Sequence, residues 1–262
     1  MNMENVSLHM HLFYEDMGAY LLDRVSKVWD GRIHLSLVRG RAGDSLLNIA
    51  QKMFDLEVTF IENKGNDQYG FFKSFVKNTD KSEYVLYLHD KKKTEQEWLD
   101  QISDIFLDRD KLKGCIDMLQ QEKVGMVSSS LRHGGMHTLK QIYDYYYKFP
   151  FQHRAFIVRM VQTHIWTREL QSILDKRYNL AIPELDELKS DEARGPESYE
   201  CVQFTEGNVF LCRREVVEYA HKCVHESFFE GIYRADGGVE HGMERFYPYV
   251  SKCLGLENLF VK

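Results

Sequence analysis

Four short stretches of the chain hold side chains whose types and spacing suit chemistry. The stretch "ADGGVEHGMERF" (residues 235–246) runs from Asp236 through two glycines into a helical pattern bearing Glu240, His241, Glu244 and Arg245. Glu240 and Glu244 fall one turn apart on one helix face, where a carboxylate or the His241 imidazole can take the proton of an incoming hydroxyl as general base. A capped amphipathic helix with a surface Glu–Arg pair has the same pattern. The stretch "YVLYLHDKKK" (84–93) is an apolar run that breaks into His89, Asp90 and three lysines. Asp90 has the chemistry of a metal ligand or ribose acceptor, and Lys92 with its neighbours that of a phosphate-neutralising group. A strand end running into water gives the same residues.

The stretch "ENKGNDQYGFF" (62–72) sets Asn63, Asn66 and Asp67 around Gly65, between an apolar strand pattern and a helical one. Glycine there permits a tight turn, and the helix start behind it can favour an anion or hydrogen-bond a sugar or base. The other reading is a plain strand-to-helix turn with Asp67 as the cap. In "FTEGNVFLCRREVV" (204–217), Glu206 and Gly207 precede an apolar strand and Arg213 and Arg214 follow it. The pair could contact an acceptor hydroxyl, or form an ordinary turn with surface arginines behind it. The sequence has no H-E-x-x-H pair, no P-loop and no G-x-S-x-G elbow, so zinc hydrolase, P-loop and serine-hydrolase chemistry are unsupported.

The elements that must position these residues alternate. Strand patterns over 6–14, 32–40, 56–63, 83–89 and 124–130 are separated by helical patterns, the longest over 95–122. In the first strand Leu8, Met10 and Leu12 alternate with Ser7, His9 and His11. Such alternation predicts an α/β fold with a mostly parallel sheet and helices on both faces, with ligands bound outside the carboxyl ends of the strands. The second half is more helical, with a polar, proline-bearing segment over 183–200 that suits a flexible insertion. No internal repeat or strong linker divides the chain, so a single domain over 1–262 is expected. Within it, 1–130 forms a nucleotide-binding half and 131–262 an acceptor-side half.

Composition excludes several classes. With 262 residues, 44% apolar and 28% charged, the chain is that of a globular protein able to bury a large core. A net charge of −6 argues against a nucleic-acid partner. No stretch of 18 apolar residues predicts a transmembrane helix, and the first residues lack the basic and apolar run of a secretory signal. Five scattered cysteines, with no C-x-x-C pair, fit buried thiols in a reducing, cytoplasmic setting.

Taken in order, these segments resemble the rhamnan synthesis F family of glycosyltransferases. The family's "HLHLFY-D" is matched by "HMHLFYED", its "ENRGRD-GPF" by "ENKGNDQYGFF", and its "YD-V-K-HTKK" by "YVLYLHDKKK". Its "GMV" strand is matched by "VGMVSSS", "AGTMFW-R" by "TEGNVFLCRR", and "DGT-AHA-ERLF" by "DGGVEHGMERFY". The match spans nearly the whole chain. It departs where Asp90 replaces a threonine, where Tyr69, Gly70 and Phe71 replace the Gly-Pro-Phe element, and where Glu206, Gly207 and Asn208 replace Ala-Gly-Thr.

The resemblance implies a GT-A-like, Rossmann-like domain. It would move a sugar from a nucleoside-diphosphate sugar to a hydroxyl of a growing polysaccharide or surface glycan; inversion is the expected course, with retention the alternative. The acceptor is a glycan or lipid-linked glycan, and the place of action the cytoplasm, at the membrane face. On this reading the donor meets His11, Tyr14, Asn63, Gly65, Asp67, His89, Asp90 and Lys92. Asp90 would bind Mg²⁺ or Mn²⁺ where a cation is used. The acceptor meets Glu206, Gly207 and Asp236, and Glu240 is the first choice of base, with His241 and Glu244 behind it. The alternative is a GT-A-like module that binds nucleotide or glycan without turnover.

Overall fold

The computed structural model describes residues 5–40, 42–78, 80–129, 136–138, 201–203, 205–224, 226, 229, 243–244, 246–248, 250–251 and 254–261. Its centre is a seven-stranded sheet in the order β3-β2-β1-β4-β8-β5-β9. The strands are β1 (Val6–Leu12), β2 (Ile33–Val38), β3 (Leu56–Ile61), β4 (Tyr84–His89), β5 (Val124–Ser129), β8 (Phe210–Arg213) and β9 (Glu257–Val261). β6 (Met136–Thr138) and β7 (Cys201–Gln203) form a separate antiparallel pair. β1 pairs in parallel with both β2 and β4, and β2 with β3. β8 alone runs antiparallel, wedged between β4 and β5, and β9 lies parallel to β5 at the edge. The fold is therefore α/β and Rossmann-like, as the alternation predicts, and strands from both halves of the chain share one sheet.

Helices cover both faces. α1 (Glu15–Ser26), α2 (Gly43–Ala50), α4 (Gln96–Ser103) and α5 (Arg109–Leu119) pack on an aliphatic layer that includes Leu8, Leu35, Leu86 and Leu211. α3 (Asn66–Lys77) and α6 (Arg214–Cys223) cover the opposite face, where Phe71, Tyr87, Phe210 and Tyr247 form an aromatic layer. The long helical pattern over 95–122 is two helices. Asp108 ends the connection between them by accepting from the amides of Asp110 and Lys111, both at 3.0 Å, which starts α5.

α2 starts at Gly43 without a side-chain cap, and Ser45 donates to Glu15 on α1 at 2.6 Å. Arg213 and Arg214 are not free surface. Arg213 donates to the carbonyls of Leu119, Gln121 and Val124, closing the end of α5, and Arg214 donates to the Ser82 carbonyl and the Ser7 hydroxyl. Cys115 and Cys212 are buried free thiols. Among the described residues no helix is long and apolar enough to cross a membrane.

Candidate functional site

The order of the sheet fixes where a ligand would be received. The chain runs outward from β1 to β3, then returns to place β4 on the other side of β1. A crevice opens between neighbouring strand ends where the winding reverses in this way. The carboxyl ends of β1 and β4 are Leu12 and His89, and antiparallel β8 brings the short 3-10 turn Glu206–Asn208 to the same edge. The start of α3, after β3, completes the surround.

Asp90 lies at this strand edge, buried at 4% exposure. Its Oδ2 accepts from the amides of Phe13 at 2.9 Å and Tyr14 at 2.7 Å, and its Oδ1 from Phe13 at 3.1 Å. Tyr14 is the residue from which α1 starts, and it has no side-chain cap of its own. The carboxylate of one strand end therefore closes the helix that follows the other. Burial pushes the Asp90 carboxyl up to about 7, against the pull of the two amides and Lys91, with Asp67 adding to the rise.

His89 is 2% exposed and links three elements. Its Nδ1 faces the Asp90 carbonyl at 2.9 Å, and its Nε2 makes a short contact with the Gly207 carbonyl. Asp67 Oδ2 lies 3.7 Å from the same Nε2. Burial lowers the His89 pKa, with Lys91 acting the same way, while Asp67 and the two carbonyls oppose it. Burial pushes the Asp67 carboxyl up, but His89, Lys91 and the Gln68 amide outweigh it and leave the group below its ordinary value. Tyr87, stacked on His89 with ring centroids 5.8 Å apart, donates to the Asp67 carbonyl at 2.9 Å.

His11 lines the same edge from β1. Ser36 Oγ donates to the Met10 carbonyl, so it accepts from His11 Nδ1 at 3.0 Å and sets that ring's neutral tautomer. Burial lowers its pKa to about 4. α3 comes close enough to hold His11 only because residue 70 is glycine: a Cβ there would lie 2.3 Å from His11 Nδ1 and 2.7 Å from Ser36 Oγ.

Of the donor-side residues expected from sequence, His11, Tyr14, Asp67, His89 and Asp90 converge on this crevice. Asn63, after β3, and Lys92, after β4, are exposed. Gly65 holds the turn before α3 at φ 61°, with Phe229 so close that a Cβ would lie 2.5 Å from its ring. Asp67 is not the cap of α3 but a carboxylate in its first turn. On the acceptor side, Gly207 adopts φ 67° beneath Trp98, and Lys91 lies 4.7 Å over the same indole. The Glu244 carbonyl accepts from the Thr205 amide at 2.9 Å, so the segment around Glu244 is tied to the turn that carries Glu206 and Gly207. Asp236, Glu240 and His241, and the 183–200 segment, lie outside the described residues.

Sequence reasoning missed Tyr87 and Ser36, and marked Gly70 only as a departure from the family pattern. Tyr87 was accessible, because residues two apart on a strand share a face and Tyr87 precedes His89 by two. Ser36 and Gly70 gave no such signal, since their roles depend on which strand and helix lie beside β1.

Among the described residues, no group of three or more His, Cys, Asp or Glu could hold a metal ion. Asp90 directs both oxygens at backbone amides, and Asp67 directs Oδ2 at Gln68, Tyr87 and His89. A cation at Asp90 would share those oxygens with the two amides, and its other ligands would come from water and substrate phosphates. No family model matches the chain, and the comparisons with curated proteins and with solved structures find no match.

Proposed function

We propose that the chain is a nucleotide-sugar-dependent glycosyltransferase of the rhamnan synthesis F type, with a GT-A-like domain that receives its donor at the β1–β4 crevice. The observation that carries this reading is convergence. Four segments that bear the resemblance, around residues 14, 67, 90 and 207, lie far apart in sequence yet meet in one hydrogen-bonded cluster at the carboxyl edge of the sheet. Core packing alone has no need to gather two carboxylates and two imidazoles at a single strand edge.

In this mechanism the crevice orients the nucleoside and sugar through Asp67 and His11, and Lys91, Lys92 and Lys93 offset the charge of the diphosphate as it leaves. The Glu206–Asn208 turn, fixed by His89, forms the wall towards the acceptor. An acceptor hydroxyl of a growing glycan approaches there, and Glu240 removes its proton on the side opposite the leaving group, giving inversion.

The test is incubation of the protein with UDP-, dTDP- and GDP-sugars, with and without Mg²⁺ or Mn²⁺. Transfer or donor hydrolysis is expected with one of them, reduced at least tenfold in Asp67→Asn and abolished in Glu240→Ala. Donor binding without turnover in the wild type would replace the enzyme with a binding module. No response to any nucleotide sugar rejects both.

A further inference from the structure

In a Rossmann-like fold the start of the first helix, at the point where the winding reverses, is a ready anion site, because its amides are unpaired and the helix dipole favours negative charge. Here two amides at that point, that of Tyr14 at the helix start and that of Phe13 just before it, already have a carboxyl group of the protein's own. The Asp90 carboxylate takes the Phe13 and Tyr14 amides at 2.7 to 3.1 Å and is 4% exposed. Two further features keep an external anion out. The first turn of α1 carries Glu15 and Asp16. The approach is through Phe13 and Tyr14, whose rings meet edge to face at 5.0 Å, with no glycine-rich loop to let a phosphate reach the backbone.

We propose that the Asp90 carboxyl group, seated on the Phe13 and Tyr14 amides, is a built-in occupant that closes the phosphate position at the start of α1, so that a phosphorylated ligand must turn its phosphates outward to Lys91, Lys92 and Lys93. Asp90 is then a specificity-determining residue and not a phosphate ligand. It leaves the crevice to the neutral, hydroxyl-bearing part of the ligand. The carboxylate that part meets is Asp67, whose contacts to Gln68, Tyr87 and His89 all fall on Oδ2 and whose side chain keeps 11% of its surface open. This deepens the transferase reading by giving the donor a direction, but its test needs no nucleotide sugar and is decided separately from turnover.

The test uses inorganic phosphate and pyrophosphate on the full chain. In the wild type, pyrophosphate is expected to shift the amide NMR signals of residues 91–93 and to leave those of Phe13 and Tyr14 in place. In Asp90→Ala the thermal midpoint should fall, and inorganic phosphate should raise it again by several degrees, an effect the wild type lacks. Movement of the Phe13 and Tyr14 signals in the wild type overturns the proposal, as does an Asp90→Ala protein that gains nothing from phosphate. Pyrophosphate that leaves residues 91–93 unmoved rejects their part in it. Should Asp90→Ala fail to fold, Asp90→Asn retains one acceptor for the amides and the wild-type titration still decides.

Discussion

On one face of the sheet Leu8, Met10 and Leu12 lie against leucines of α1 and α2; on the other His9, His11 and Tyr87 lie under α3. Both faces are buried, and both come from the same strands. The interior of the aliphatic face is held by burial, and volume-conserving changes of its side chains are tolerated best. The second face buries polar groups, and most of them find a partner, His221 Nδ1 being an exception. Ser74 donates to the Phe71 carbonyl and therefore accepts from His9 Nδ1 at 3.1 Å, while Asn78 donates to His9 Nε2 at 3.2 Å. Asn78 cannot reverse its amide, because its oxygen accepts from the Asp80 amide. His9 is thereby fixed as a neutral ring, stacked on His34 at 4.6 Å. Tyr247 likewise donates to Gln68 and accepts from His221, each at 2.9 Å. The difference shows where the fold keeps its directional chemistry: on the α3 side, continuous with the crevice.

The largest effect that separates the faces is expected from acid. Burial lowers the pKa of His11 to about 4 and of His221 to about 3. Unfolded imidazoles bind protons near 6.5, so between that pH and the folded values the unfolded chain binds protons that the folded chain refuses, and stability falls as pH drops. By pH 4 the loss is roughly 3 kcal/mol for each of the two rings. Asp90 acts in the opposite sense: raised to about 7, it gains its proton in the folded state first and returns part of the loss over the same interval. Urea unfolding at pH 7 and pH 4 measures the sum. A His221→Phe protein that is as acid-sensitive as the wild type breaks the assignment to this face.

Next in size is the aliphatic face itself. Leu21 is fully buried there, and Leu21→Ala should cost about 2–5 kcal/mol by leaving a cavity. Its stability loss should be equal at pH 7 and pH 4; an acid-dependent loss would mean that the two faces are coupled through the sheet.

Gly70→Ala reverses the sign of the perturbation by adding volume where α3 meets His11 and Ser36. Overpacking of this kind costs about 1–3 kcal/mol. It should also displace the His11 ring, read as a change in the His11 ring NMR shifts that Leu21→Ala does not produce. The smallest effect expected is that of Tyr87→Phe, which keeps the ring and removes only the hydroxyl that meets the Asp67 carbonyl and Oδ2. About 1 kcal/mol of stability should be lost. A change in donor-sugar binding larger than the stability change would show that Tyr87 acts on the site through Asp67.

The outline of the fold was legible in the sequence because its signals are local. Alternation at Ser7 to Leu12 marked β1, and helical spacing over 15–29 marked α1. β9 was not legible: "ENLFV" is five residues with no clear alternation, and it is a strand because β5 offers it an edge. Within the crevice, charge at a strand end pointed to His89 and Asp90, and glycine beside acid pointed to Asp67. The sequence by itself thus determined which residues could meet a ligand, since residue type and strand-end position are written along the chain. Only the tertiary structure decided their roles. The Asp90 carboxylate meets amides 77 and 76 residues away, at Phe13 and Tyr14. His89 reaches Gly207 across 118 residues because β8 runs antiparallel beside β4. A buried carboxylate acts according to the donors around it, and those donors are set by the order of the strands.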